Sequence, residues 1–284
     1  MRLRLCDIDP LIDAALKEDI PSGDITSESL ISLESRSRAV FLAKEAGVLA
    51  GLGVARRVFE RIDPGVRFRA FSHDGQAFEA GDILAEVRGR SISLLKGERT
   101  ALNFLQRMSG IATKTRRFVA AVAGTGAKIL DTRKTTPTLR RVEKYAVKMG
   151  GGENHRSSLS DMVLIKDNHL ALVGSIPEAV RRAKAKAGRG TMIEVEVADY
   201  AAAREAVAAG ANRIMLDNMP LKRMKPVVRW LKGKVPVEVS GRVNLGRARR
   251  IAELGVEYVS VGGLTHSFSS VDISLEFKEG RQDD

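Results

Sequence analysis

AKILDTRKTTPTLRRVEKYAVKMG, residues 127–150, decides how the second half of this chain reads. The apolar run Ala127–Leu130 has the length and character of a buried strand. Polar residues follow at once, with Arg133 and Lys134 adjacent, and then a helical pattern begins. Thr136 reads as the N-cap and Pro137 as the first helical residue, where a missing N–H costs nothing. Leu139, Val142, Ala146 and Met149 form one apolar stripe, and the glycines at 150–152 end the helix. Two cations therefore stand where a buried strand meets a helix.

The same unit recurs downstream. Strands are predicted in DMVLIK, TMIEVEV, NRIMLDN, VPVEVSG and EYVSVGG, and helices in SIPEAVRRAKAKAG, YAAAREAVAAG, LKRMKPVVRWLKG and LGRARRIAELG. Alternating strands and helices with short connections give a parallel sheet. Six such strands suggest a barrel related to the (β/α)8 type; a doubly wound open sheet is the alternative. Residues 1–108 mix strands and helices as an N-terminal α/β domain, and 109–265 form the barrel domain. The tail 266–284 alternates apolar and polar residues and is expected to return to the first domain.

Hydrophobic residues make up 44% and charged residues 29% of the 284, which is a globular composition. No apolar run is long enough to span a bilayer. The start, MRLRLCDIDP, lacks the apolar stretch of a signal peptide. Cys6 is the only cysteine, which rules out an intrachain disulfide and fits a reducing cytoplasm. The formal charge of +12 suits an acidic partner. Aromatics at 5% leave few platforms for stacking bases, and the basic residues are scattered rather than in a block.

Barrel enzymes work at the carboxyl ends of their strands. In order, those ends carry Arg133 and Lys134, Lys166, Glu196, Asp217, Ser240–Gly241 and Gly262–Gly263. His155 and Arg156, in GGGENHR, sit just after the first helix. Such a rim suits an anion with several negative groups. Glu194 and Glu196 lie two apart and so share the inner face of their strand. Glu194 reads as half of an internal salt bridge with Lys166 or Lys134, and Glu196, nearer the rim, as the functional acid. His169 and His266 follow strands two and six and rank below His155; His73 reads as a surface turn residue. There is no G-x-x-x-x-G-K-[ST], no G-x-G-x-x-G between a strand and a helix, no zinc pattern and no nucleophile elbow. A hard cation such as Mg²⁺, held by Glu196, Asp217 and substrate phosphates, is compatible with the rim.

DTRKTTP, YAVKMGGGENHR, VLIKDNH, IEVEV, MLDN and VGGLTHS, with EDIPSGDITS and ERTALNFLQRMSGIAT in the first half, resemble in order the quinolinate phosphoribosyltransferases (nicotinate-nucleotide pyrophosphorylases, carboxylating). The resemblance runs from about residue 17 to 270. It implies conversion of quinolinate and phosphoribosyl pyrophosphate to nicotinate mononucleotide, pyrophosphate and CO2, with Mg²⁺, in NAD biosynthesis. It further implies an N-terminal α/β domain packed on an incomplete (β/α) barrel, as a homodimer or a larger assembly such as a hexamer of dimers. On the matching positions, Arg133, Lys134, His155, Arg156 and Lys166 would face quinolinate, with Arg99 reaching across from the other subunit. Lys134, Lys166, Glu196 and Asp217 would form the catalytic set, the two acids holding ribose hydroxyls and the metal. Ser240, Gly241, Gly262 and Gly263 would cradle the 5′-phosphate. Two positions depart from the family. Thr138 stands where many members have glycine, and a helix start is expected to tolerate it. Arg242 follows Ser240–Gly241 where members usually have glycine or asparagine, which puts a side chain beside the phosphate loop.

The alternatives are a paralogue on the same scaffold, either a molybdenum-transport-associated (ModD-like) protein or a nicotinate phosphoribosyltransferase, and, on charge alone, a nucleic-acid-binding protein. The Arg133–Lys134 and His155–Arg156 pairs argue against the paralogues, because a monocarboxylate needs fewer cations. Nucleic-acid binding would show as steep salt dependence.

Overall fold

Two main sheets organise the chain in the computed structural model, which describes residues 3–188 and 190–278. The chain divides into two compact units: Met1–Arg116 with Thr136–Gly151 and Ser267–Asp284, and Arg117–Thr135 with Gly152–His266.

The first unit holds α1 (Asp9–Asp19), α2 (Ile25–Leu30), β1 (Arg36–Ala43), β2 (Gly47–Val48), α3 (Leu52–Ile62), β3 (Arg67–Ala70), β4 (Ala77–Phe78) and β5 (Ile83–Arg90). The 31-residue α4 (Ser91–Ala121) begins there and ends in the second unit. Helix α5 (Arg140–Met149) and, late in the chain, strand β12 (Ile273–Phe277) also belong to the first unit. Its four-stranded sheet runs β12-β1-β5-β3 and is antiparallel. Helix α3 presents Val54, Ala55, Val58 and Phe59 to the core, and Phe59 meets Phe41 of β1 edge to face at 6.2 Å. Two helical glycines permit close approaches to α4. A Cβ on Gly97 would lie 2.6 Å from the Phe59 ring, and one on Gly110 would lie 2.1 Å from the Ser269 carbonyl of the returning tail. Residues 279–284 of the tail lie outside the described residues.

Helix α5 starts later than the sequence suggests. It opens at Arg140 with Leu139 as N-cap and no capping side chain, so Thr136 and Pro137 are loop. The competing partner is Glu143, fully buried. It accepts the Thr136 amide at 3.1 Å and is paired to Arg107, which also reaches the Thr136 hydroxyl. Satisfying that buried carboxylate holds the loop out of the helix. Thr138 then has φ 68°, a left-handed conformation that penalises a β-branched residue. Thr138 is therefore not a tolerant helix start, and the family's glycine is the residue its backbone favours.

The second unit contains six parallel strands: β6 (Lys128–Leu130), β7 (Val163–Ile165), β8 (Ile193–Val197), β9 (Arg213–Asp217), β10 (Val237–Ser240) and β11 (Tyr258–Ser260). Their order is β6-β11-β10-β9-β8-β7, with every pairing parallel. Helices α6 (Asp167–Val173), α7 (Ile176–Lys186), α8 (Tyr200–Ala208), α9 (Leu221–Leu231) and α10 (Leu245–Ala252) connect them, and the short α11 (Gly263–His266) follows β11. Among the described residues β6 and β7 do not pair, so this is the expected barrel architecture left open. Instead, Leu130 at the end of β6 bridges to Glu153. Val195, Val197, Ile214, Leu216, Val237 and Val239 are buried. The alternate positions carry Glu194, Glu196, Met215, Asp217, Glu238 and Ser240, as a period of two requires.

Replacing Thr138 with glycine should relieve the positive-φ strain and raise unfolding stability by about 1 kcal/mol, after allowance for the greater freedom of glycine in the unfolded chain. Urea unfolding of the two proteins measures this, and a less stable glycine variant would contradict it.

Candidate active site

The carboxyl ends of β6 to β11 surround a cavity of about 660 Å³. Its lining contains Arg133, Lys134, His155, Arg156, Lys166, Asp217, Ser240, Gly241, Gly262 and Gly263. Ten of the residues singled out in the sequence thus converge on one space. Glu196 is not among the lining residues; its carboxylate accepts at 3.0 Å from the ammonium of Lys166, which is. Arg99 is an exposed residue of α4 in the first unit and is not among the lining residues.

The cationic side is set by Asp131, fully buried at the end of β6. It accepts the His155 amide at 2.9 Å and the Asn154 side-chain amide at 2.6 Å. One carboxylate thus ties the GENHR loop to the strand that carries Arg133. Arg156 donates to the Met162 carbonyl. Burial, and then the neighbouring Arg133 guanidinium, push the Arg156 pKa down. Two like charges have been brought together, which an anion between them would relieve. Lys134 is seated differently. A Cβ on Gly262 would lie 3.1 Å from the Lys134 Cδ and 3.2 Å from the His266 Nε2, so the glycine leaves room for both. The Lys134 carbonyl accepts from the Thr265 hydroxyl at 2.8 Å.

The opposite wall is backbone. Gly241 has φ 94°, and a Cβ there would lie 2.3 Å from the Asn218 Oδ1 and 2.8 Å from its amide N. Asn218 and Arg242, both with φ 49°, are also left-handed, and the Asn218 amide donates to the Ser240 carbonyl at 3.0 Å. The ends of β9 and β10 are thereby locked together, with Asp217 beside Asn218, which donates to it. Arg242 lines the cavity.

Beneath the rim, Glu194 and Glu238 are both fully buried. Glu194 is not paired with Lys166 or Lys134 as expected. Its Oε2 lies 3.1 Å from the His155 Nε2 and 4.0 Å from Arg213. Lys166 is longer-reaching and stays at the rim with Glu196. Arg213 pairs with Glu238 at 3.1 Å, and its guanidinium lies over the Tyr258 ring. Burial raises the Glu194 pKa. Burial, with Glu194 next to it, pushes Glu238 up to about 7.

Asn218, Glu238 and Ser260 also line the cavity and carried no signal in the sequence. Arg242 and His266 line it too; the first was marked in the sequence by its place after Ser240–Gly241, the second by its place after the last strand. His169 is used locally, accepting the Lys166 amide at 2.9 Å. His73 is exposed in a turn, close to the Asp74 carbonyl.

The patterns of the quinolinate phosphoribosyl transferase N-terminal and C-terminal domains match residues 24–109 and 111–276. The chain belongs to the quinolinate phosphoribosyl transferase family. A probable nicotinate-nucleotide pyrophosphorylase (carboxylating) of Bacillus subtilis is 42% identical over 94% of this chain and 92% of its own. A mitochondrial quinolinate phosphoribosyltransferase (decarboxylating) of Nicotiana tabacum is 39% identical over 95% of this chain and 82% of its own. Among solved structures, NadC from Streptococcus pyogenes superposes with a TM-score of 0.94 at 44% identity, covering 98% of this chain and all of that one. The family boundary near residue 110 falls inside the unbroken helix α4.

The raised Glu238 pKa has a defined sign. An acid protonated more readily in the folded state than at its ordinary 4.5 makes folding less favourable as pH rises from about 4.5 through about 7. Glu238→Gln should therefore gain stability relative to wild type between pH 5 and 8, by on the order of 2 kcal/mol. Thermal unfolding across that range measures the gap, and a gap independent of pH would contradict it.

Proposed function

We propose that this protein catalyses the decarboxylating transfer of a phosphoribosyl group to quinolinate, giving nicotinate mononucleotide, pyrophosphate and CO2. The observation that carries this reading is the pair Arg133 and Arg156, two guanidinium groups facing one cavity, one of them depressed by burial and by the other. A dicarboxylate would neutralise both. Guanidinium groups also suit planar carboxylates in a way that a point charge does not.

On this reading Arg133 and Arg156 grip the two carboxylates and present the ring nitrogen to the sugar. The nitrogen lone pair forms the bond to the anomeric carbon as the bond to pyrophosphate breaks. Positive charge builds on the ribose as the leaving group departs, and Glu196 and Asp217 stabilise it while holding the hydroxyls. Lys134 and Lys166 face the phosphates. The Ser240–Gly241 turn offers backbone amides and no bulk to the 5′-phosphate, with Gly262 and Gly263 opposite. Once the ring nitrogen is cationic, the adjacent bond to CO2 breaks, its electron pair stays on the ring carbon beside the positive nitrogen, and a proton then takes that carbon. The scattered basic charge also concentrates two polyanionic substrates.

The donor set fits Mg²⁺. Glu196 and Asp217 are hard oxygen donors at the rim, and Mg²⁺ commonly takes one or two carboxylates together with substrate phosphates. When bound, the ion would neutralise the leaving pyrophosphate. The cell compartment in this reading is the cytoplasm; among the described residues no helix is long and apolar enough to cross a membrane. The assembly is a homodimer, extendable to a hexamer of dimers, in which Arg99 serves the partner's site.

Product analysis after incubation with quinolinate, phosphoribosyl pyrophosphate and Mg²⁺ tests the reaction; a phosphoribosylated dicarboxylate with no CO2 released, or no product, would refute it. Arg133→Lys keeps the charge but loses the fork, and should weaken quinolinate binding by roughly 1.5–3 kcal/mol in calorimetry. Unchanged affinity would remove Arg133 from the site. Subunit mixing tests Arg99. Arg99→Ala and Lys166→Ala should each be nearly inactive alone, and random reassortment into dimers should restore about a quarter of wild-type activity, since half the dimers are mixed and each has one intact site. A mixture as inactive as its parents would place Arg99 outside the partner's site.

A further inference from the structure

His155 lines the cavity, and both of its ring nitrogens are engaged by the protein. Nδ1 accepts the backbone amide of Arg156 at 2.7 Å. A nitrogen that accepts an N–H carries no proton, so the ring proton resides on Nε2. Nε2 lies 3.1 Å from the Glu194 Oε2 and 3.5 Å from the Glu238 Oε1, an arrangement in which the N–H donates downward into the carboxylates.

Glu238 is the node of that lower layer. One of its oxygens accepts from the Ser260 hydroxyl of β11 and the other from Arg213 of β9 at 3.1 Å. The Arg213 guanidinium is in turn held over the Tyr258 ring at 4.3 Å. Histidine and two carboxylates within reach of each other could suggest a metal cage. Arg213 already supplies the cation there, so the cluster reads as a support instead. A reversed ring, with the proton on Nδ1, would set two N–H groups against each other and push the Arg156 main chain away.

We propose that the buried Glu194 is a positioning residue for the anion pocket: by accepting from Nε2–H it fixes His155 as the Nε2–H tautomer and, through His155 Nδ1, sets the main chain of Arg156. His155 then acts on the dicarboxylate through Arg156 rather than by touching it. This rests on the reading of the cavity as a quinolinate site.

The first test does not depend on turnover. In protein labelled with ¹⁵N-histidine, at neutral pH, His155 should show an unprotonated Nδ1 and a protonated Nε2, with its signals assigned by their loss in His155→Asn. An imidazolium or the Nδ1–H form would overturn the proposal. The second test is kinetic. Glu194→Gln keeps an amide oxygen that can accept from the His155 Nε2–H. It should keep the tautomer and stay within about threefold of wild type in KM for quinolinate, well short of the tenfold that 1.4 kcal/mol represents. Glu194→Leu removes that acceptor and frees the ring. It should raise KM for quinolinate about tenfold or more, with KM for phosphoribosyl pyrophosphate nearly unchanged. Equal losses for both substrates in either variant would make Glu194 a general strut and overturn the proposal. Should the leucine variant fail to fold, the tautomer and the glutamine variant decide. A wild-type protein that turns over neither substrate would refute the quinolinate reading, and the tautomer measurement would still decide the coupling of Glu194, His155 and Arg156.

Discussion

Arg133 and Arg156 repel each other, and the surrounding unit is built to hold them together despite it. A half-buried guanidinium beside a second one is unfavourable, so each must be fixed by something stronger than its own preference. Asp131 supplies that at the main-chain level, accepting both the His155 amide and the Asn154 side chain from a position with no solvent exposure. A buried carboxylate is itself costly unless its lone pairs are filled. The loop and the strand end are therefore joined because Asp131 requires the bonds. The anion site is, in this sense, a consequence of how a buried acid is satisfied.

The lower layer repeats the logic. Glu194 and Glu238 face inward from β8 and β10, the first in register with Arg213 of β9 and the second with Tyr258 of β11. Parallel pairing thus places two acids, a cation and an aromatic ring together without any of them being neighbours in sequence. With His155 taking its place above them, the buried charges of Glu194, Glu238 and Arg213 face one another within the open barrel. The rim pair Lys166–Glu196 is left accessible.

Backbone strain has a similar distribution. Among the described residues, the non-glycine positions with positive φ are Thr138, Asn218 and Arg242. The latter two line the cavity at the ends of β9 and β10, where the chain must turn sharply over Gly241. Strain at such a place is sustained by the contacts on either side. Thr138 lies in a loop whose start is fixed by Glu143 and Arg107, so there too a buried ion pair dictates the backbone.

Much of the architecture was legible from periodicity. Six strands and their helices follow from apolar runs of strand length alternating with amphipathic stripes, because burial of one face is a local property of the sequence. The polar strand ends were legible for the same reason: a charged residue just after a buried strand has to emerge at the edge of the sheet. The start of α5 was not, since Thr136 and Pro137 form a good local helix start and only the buried Glu143 overrides it. Nor were the partner of Glu194, the place of Glu238 or the ring orientation of His155, each set by strand register between segments far apart in the chain. The sequence by itself determined which residues would be buried, which would stand at the strand ends, and that the resulting rim would be cationic. The tertiary structure alone decided which charges face each other, because a pairing between strands depends on register and on the accounting of every buried polar atom, and neither is encoded in a local pattern.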